Sequence, residues 1–143
     1  MTKQIQAVLD DINVAAIKVG MLSSSEIILA VGEQLSQSTI PVVLDPVMVA
    51  KSGDALLQQS AIESLKIKLL PIAFLLTPNL PEAATLLGCD VAVNEATMQA
   101  QGEALIKLGA NAVLMKGGHA KGDECVDLLI VRDGPMTRFR SAR

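Results

Sequence analysis

Four short apolar runs punctuate the chain, at residues 15–19, 41–44, 73–76 and 112–115. None alternates strictly between apolar and polar positions, which is the signature of parallel strands buried on both faces. Between the runs lie segments of helical period. Ser23 and Glu26 stand in capping-box spacing ahead of an apolar stretch, and a second helix falls within residues 58–70. A third starts at Asn79 and stops at Gly88. A fourth runs from an N-cap near Asn94 to a C′ glycine at Gly109. Strand–helix alternation of this kind predicts an α/β fold with right-handed crossovers, a mainly parallel sheet and helices on both faces. The last stretch breaks the rhythm. Residues 125–139 read as two strands joined at Asp133-Gly134, an antiparallel hairpin at the sheet edge near the C-terminus.

Composition narrows the function classes. The 143 residues are half apolar and under a fifth charged, enough for one globular domain with a real core. The net charge is -3 and the aromatics are Phe74 and Phe139. A nucleic-acid binder needs a basic face, and a single-strand binder also needs stacking rings, so nucleic acid is set aside. The longest apolar run, residues 69–76, is broken by Pro71, whereas a membrane-spanning helix needs about 20 residues. The first residues are polar and amphipathic with no secretory core, so the expected compartment is the cytoplasm. Cys89 and Cys125 lie far apart in the sequence, outside any CxxC or Cys/His cluster, and read as reduced thiols.

In open parallel sheets, ligands bind beyond the carboxyl ends of the strands. Four polar or Gly-rich loops fall there: "GML", "DPVMVAKSG", "TPNLPE" and "KGGH". Asn79 can cap the helix beginning at Leu80, with Glu82 at N3 reaching back to it and Pro81 in the first turn. That reading is complete in itself. A second one stands beside it, because a helix N-terminus favours anions and a nearby acid can organise Mg²⁺ around phosphates. Asp45 follows a strand directly and is either an Asp-Pro turn initiator or an acid for metal or substrate. Lys116 also ends a strand, where an ammonium can neutralise phosphate charge in transfer, and the two glycines after it let backbone approach closely. Gly20 and Met21 make either a tight turn with a core Met or the floor of a small apolar pocket. His119 is more readily a solvated loop residue than a ligand contact.

The succession "KVGML", "VVLDPVMVAKSGDALL", "LLTPNLPEAATLLG" and "VLMKGGH" resembles the hydroxymethylpyrimidine/phosphomethylpyrimidine kinases of thiamin biosynthesis, members of the ribokinase-like superfamily. The resemblance runs over essentially the whole chain. It implies a ribokinase-like three-layer sandwich, and ATP-dependent phosphorylation of 4-amino-5-hydroxymethyl-2-methylpyrimidine and then of its monophosphate. It also implies ATP and Mg²⁺ as cofactors, and a homo-oligomer, since relatives are commonly dimers. Asn79 and Glu82 match the superfamily's Asn-x-x-Glu motif, which acts through Mg²⁺ and its waters. Asp45 matches an acid of the same metal–phosphate region, so Asp45 and Glu82 are the metal candidates. Lys116 matches the lysine that contacts the transferring phosphate. Gly20, Met21 and Val47 fall where the family lines its pyrimidine pocket.

The departures are as informative. The superfamily's anion hole and catalytic base lie in a Gly-Thr-Gly-Cys or Gly-x-Gly-Asp motif, and these residues contain neither. Residues 1–143 therefore resemble a single, truncated kinase domain, the middle of such an enzyme and an incomplete sandwich. Loss of a general base removes about 10²–10⁴-fold of rate and loss of an oxyanion-type donor set about 10²–10³ more, so this stretch alone is expected to be inactive in an ordinary assay. The alternatives are a pyridoxal kinase of the same superfamily, or a catalytically inactive remnant.

Overall fold

The computed structural model describes residues 1–48, 57–118 and 124–142. Helix α1 (Thr2–Asp11) leads into strand β1 (Ile17–Val19) and helix α2 (Ser25–Leu35). Strand β2 (Val42–Leu44) and helix α3 (Gln59–Lys68) follow, then a single 3₁₀ turn and strand β3 (Ala73–Leu76). Helices α4 (Leu80–Leu87) and α5 (Glu95–Lys107) connect to strand β4 (Ala112–Met115). The chain closes with β5 (Glu124–Val131) and β6 (Met136–Ala142). The six strands form one sheet in sequential order, β1 to β4 parallel and β4–β5–β6 antiparallel. The hairpin turn is centred one residue earlier than its Asp-Gly pair predicts, on Arg132 and Asp133, with Asp133 at φ +54° and the Gly134 N–H donating to Val131 O at 3.1 Å.

Right-handed crossovers between strands that are always added on the same side carry their helices on one face. Burial follows that rule. Val19, Leu44, Leu76, Val113 and Ile130 are register neighbours across five strands, and all are buried. They meet the apolar sides of the helices, among them Ile28, Leu65, Leu86 and Leu105, in one core. Burying each Leu or Ile contributes about 1.5–3 kcal/mol. On the opposite face, the paired Val43 and Leu75 and the paired Leu114 and Leu129 are only half-buried. The described crossovers thus build two layers of a sandwich, with the second sheet face lightly covered among the described residues.

Local signals set the helix ends. Asn79 and Asn94 are both N-caps, and Gly88 ends α4 at φ +67°, a left-handed conformation that favours glycine. Gly109, at φ +130°, follows the end of α5. One expectation shifts by a residue. Ser24, not Ser23, caps α2, because its hydroxyl accepts from the Ile27 N–H at 3.4 Å while Glu26 bonds the same hydroxyl. Helix α1 is amphipathic and packs against the core through Ile5, with Gln6 accepting a hydrogen bond from Gln34 of α2 at 2.9 Å.

Candidate functional site

The carboxyl ends of β1 to β4 bring together side chains from four separate segments. Asp45 extends β2 by one residue, its N–H donating to Val19 O at 2.8 Å. Thr77 does the same for β3, donating to Leu44 O at 2.9 Å, and the Lys116 N–H donates to Pro78 O at 2.9 Å. A bridge between Asn79 and Lys116 completes the rim. These backbone bonds fix where the side chains start. Because Leu44 and Met115 face the core, the next residues, Asp45 and Lys116, fall on the opposite side of the sheet. There the Lys116 Nζ donates to Asp45 Oδ1 at 3.0 Å. A second ammonium, Lys18 Nζ, lies 3.4 Å from Asp45 Oδ2. One carboxylate is thus bracketed by two lysines.

Partial burial works to raise the Asp45 pKa. The hydrogen bond and charge of Lys116, and then those of Lys18, outweigh it, so the carboxyl sits below its ordinary range and is held ionised.

Asn79 and Glu82 form a reciprocal capping box at the start of α4. Asn79 Oδ1 accepts from the Glu82 N–H, and Glu82 Oε2 accepts from the Asn79 N–H, each at 2.8 Å. Glu82 is 5% exposed, the buried charged side chain among the described residues. Burial pushes its pKa up; the Asn79 backbone bond and the charge of Lys116 oppose this, and the Asp45 carboxylate adds to it. Two acids side by side thus take opposite directions. Asp45 is locked as an anion by cations, while Glu82 is a buried carboxyl that sheds its proton less readily than usual.

This donor set suits Mg²⁺ held largely through water. Mg²⁺ is commonly bound by one or two carboxylates plus substrate phosphates, and Asp45 and Glu82 are close enough to feel each other's charge. Among the described residues no cluster of three or more His, Cys, Asp or Glu forms an all-protein cage.

Of the pocket candidates, Gly20 follows Val19, which pairs with Leu44, and so stands beside Asp45. A Cβ there would meet nothing within 4 Å, so packing does not require a glycine. Met21 is 62% exposed, which removes the core-Met reading. Val47 is half-buried between buried Pro46 and Met48, its N–H donating to Asp45 O at 2.9 Å. Gly117 is needed for close approach: a Cβ would lie 1.8 Å from Val126 O, while at Gly118 the nearest atom is Cys125 Sγ at 3.8 Å. His119 and the 49–56 part of the "DPVMVAKSGDALL" stretch lie outside the described residues. An apolar groove of about 470 Å³ runs between α1 and β1, and of the rim only Lys18 and Gly20 border it.

Two residues escaped the sequence reading. Lys18 was legible only as a charge inside an apolar strand. Asp127, a charge in mid-β5, accepts from the Gly117 N–H at 2.8 Å and pins the end of β4 to the hairpin. The signal was the same for both, a charged residue where the pattern asks for an apolar one.

All 143 residues match the family model described as phosphomethylpyrimidine kinase. The hydroxymethylpyrimidine/phosphomethylpyrimidine kinase of Salmonella typhimurium is 48% identical over 98% of this chain and 53% of its own length. The Escherichia coli enzyme of the same name is 46% identical, with the same two coverages. Among solved structures, a phosphomethylpyrimidine kinase from Clostridium difficile superposes with a TM-score of 0.87 at 42% identity, over 98% of this chain and 60% of that one. The Staphylococcus aureus pyridoxal kinase, in complex with AMP-PCP and pyridoxal, gives 0.85 at 32% identity, over 98% and 49%. The chain spans about half the length of the curated relatives it matches. With its ribokinase-like mixed sheet and its rim of Asp45, Asn79, Glu82 and Lys116, the chain belongs to the phosphomethylpyrimidine kinase family.

Proposed function

We propose that these residues form the metal–phosphate side of an ATP-dependent kinase that phosphorylates hydroxymethylpyrimidine and then its monophosphate in thiamin biosynthesis. The observation that carries this is the Lys116–Asp45 ion pair beside the buried Glu82 at the rim of the sheet. A kinase has little covalent chemistry to perform and works by positioning and charge neutralisation. The acceptor oxygen bonds to Pγ as the bond from Pγ to the bridging oxygen breaks, and ADP leaves with that electron pair. Lys116 releases Asp45 and donates to an oxygen of the transferring group. Asp45 keeps the ammonium poised between turnovers. The Asn79–Glu82 box holds the Glu82 carboxyl at the start of α4, so one set of bonds both caps the helix and aims the acid.

Mg²⁺, when bound near Asp45 and Glu82 through water, supplies charge neutralisation on the β- and γ-phosphates. Gly20, Met21 and Val47 line the acceptor side, where the exposed Met21 side chain is free to close over an apolar ring. In this reading residues 1–143 work as one segment of a larger ribokinase-like domain, active in the cytoplasm as a homo-oligomer. The proton of the hydroxymethyl group passes to a general base. No described helix is long and apolar enough to cross a membrane.

Pyridoxal is the competing acceptor, favoured by the superposition on the pyridoxal kinase of S. aureus. The test is a product assay with MgATP and both alcohols, using the product of the complete reading frame that contains these residues. Phosphorylated pyrimidine, lost in Lys116→Ala, is expected. Pyridoxal phosphate as the dominant product would transfer the assignment to the competing acceptor, and no product from either would overturn the kinase reading.

A further inference from the structure

We propose that Lys18 recognises the phosphate ester of a monophosphorylated acceptor and so separates the second phosphoryl transfer from the first. This rests on the kinase reading above and adds to it a residue that sets substrate preference.

Lys18 is the middle residue of the three-residue strand β1. Its register partner on β2 is the apolar Val43, and lysine is a poor strand residue. Its side chain is 68% exposed, and an ion pair this open to water contributes little to stability. The fold therefore gains little from a lysine at this position. What the position does provide is a place in the site. Lys18 lies on the strand that leads into Gly20 and Met21, and its ammonium lies against Asp45 Oδ2 while Lys116 holds Oδ1. Asp45 thus has one cation on the acceptor side and another on the phosphate-donor side.

The two acceptors differ mainly in charge. Hydroxymethylpyrimidine is a neutral alcohol, whereas its monophosphate carries about -1.5 to -2 at neutral pH. Seating that group beside a γ-phosphate, Asp45 and Glu82 requires positive charge that the alcohol does not. Lys116 is committed to the transferring phosphoryl group. Among the described residues Lys18 is the other cation that meets Asp45, and its flexible four-carbon stem lets the ammonium swing from Oδ2 onto a phosphate. In the second transfer, an oxygen of the ionised monoester bonds to Pγ as ADP leaves with the electrons of the broken bond. That oxygen has no proton to surrender, so charge is what the site must manage.

The test compares steady-state kinetics of the protein from the complete reading frame, wild type against K18M, K18Q and K18R. The acceptors are hydroxymethylpyrimidine and its monophosphate, with MgATP saturating and thermal melting followed in parallel. Loss of an ammonium–phosphate bond raises the ratio of the monophosphate KM to the alcohol KM by roughly tenfold to a hundredfold in K18M and K18Q. K18R, which keeps the charge, is expected to restore most of that ratio, and melting should be unchanged. A ratio that stays constant in both neutral variants, with both acceptors affected equally or not at all, overturns the assignment of Lys18 and leaves the kinase reading intact. A wild-type protein that phosphorylates neither pyrimidine overturns that reading and this inference together.

Discussion

The rim of the parallel strands and the β5–β6 hairpin both carry charged pairs, and they use them differently. At the rim, Lys116 and Asp45 come from strands with a third strand between them, and the Asp45 side chain is 20% exposed. On the hairpin, Arg140 pairs with Glu124 in the solvent, and the half-buried Arg138 reaches the exposed Glu95 of α5. The Glu95 carboxyl is lowered by the hydrogen bond from Arg138, and Arg138 in turn is raised by Glu95 and by the charge of Glu124. At the rim, Lys116 lowers Asp45 and also opposes the upward shift of Glu82, while Asp45, which Lys18 helps hold ionised, adds to that shift. Partial burial turns pairs into a coupled set, because the interaction between charges grows as water is removed. The hairpin's charges sit on the outer strands, and the rim's make up the candidate site.

The sharpest way to break the comparison is to remove one cation from each region. Lys116→Ala should lower kcat/KM in the complete enzyme by about 10²–10³-fold, the cost typical of losing a donor to a developing charge. Arg138→Ala should leave kcat/KM within about twofold, since its partner Glu95 lies on α5, outside the rim. Equal losses in steady-state assays would mean the two regions are not distinct.

Stability offers the next test, at the seam between them. Gly117 lets the end of β4 lie against β5, where a methyl group would collide with Val126 O. Gly117→Ala should therefore cost about 1–3 kcal/mol in urea unfolding, the usual penalty of overpacking, and should disturb the Asp127 bond that ties the regions together. At the rim itself, Asn79→Ala should cost about 1 kcal/mol, read from the same urea midpoints, because Glu82 N–H loses its cap partner.

The smallest effect is also the most diagnostic. The Glu82 carboxyl binds its proton more tightly in the folded chain than in the unfolded one. Its contribution to stability is therefore full below the ordinary Glu range, about pH 4.3, and is lost as pH rises through the raised folded value. Asp45 has the opposite sign: its contribution is present above the ordinary Asp range and is lost as pH falls through the lowered value. Glu82→Gln should flatten the fall in stability above the Glu range and leave the acid side, where Asp45 acts, unchanged. Unfolding curves across that pH range check it, and an unaltered pH profile would mean that Glu82 is solvated.

Much of the fold could be read in advance because its signals are short-range. The Asn79–Glu82 box needs residues three apart and a helical turn, so its spacing announced it. The turn around Asp133 and the apolar runs that became β3 and β4 are equally local. Ser23 misled by one position because three consecutive serines give equivalent caps in sequence, and only the backbone chooses Ser24. Met21 left two readings open in sequence, core or pocket floor, and its exposure in the loop removes the first.

What the sequence determined by itself was the set of elements, their order and the residue types at each strand end, because hydrophobic period, caps and turns act over a few bonds. What only the tertiary structure decided was which of those residues meet. The Lys116–Asp45 pair spans 71 residues, and it depends on the registers that align β2, β3 and β4. The joining of Lys18 to Asp45 and of Asp127 to Gly117 depends on the same pairing. A one-residue slip in a strand reverses the side on which every side chain falls. No local pattern encodes that choice; it follows from burying the row from Val19 to Ile130 against the helices, which leaves Asp45 and Lys116 facing each other across the other side of the sheet.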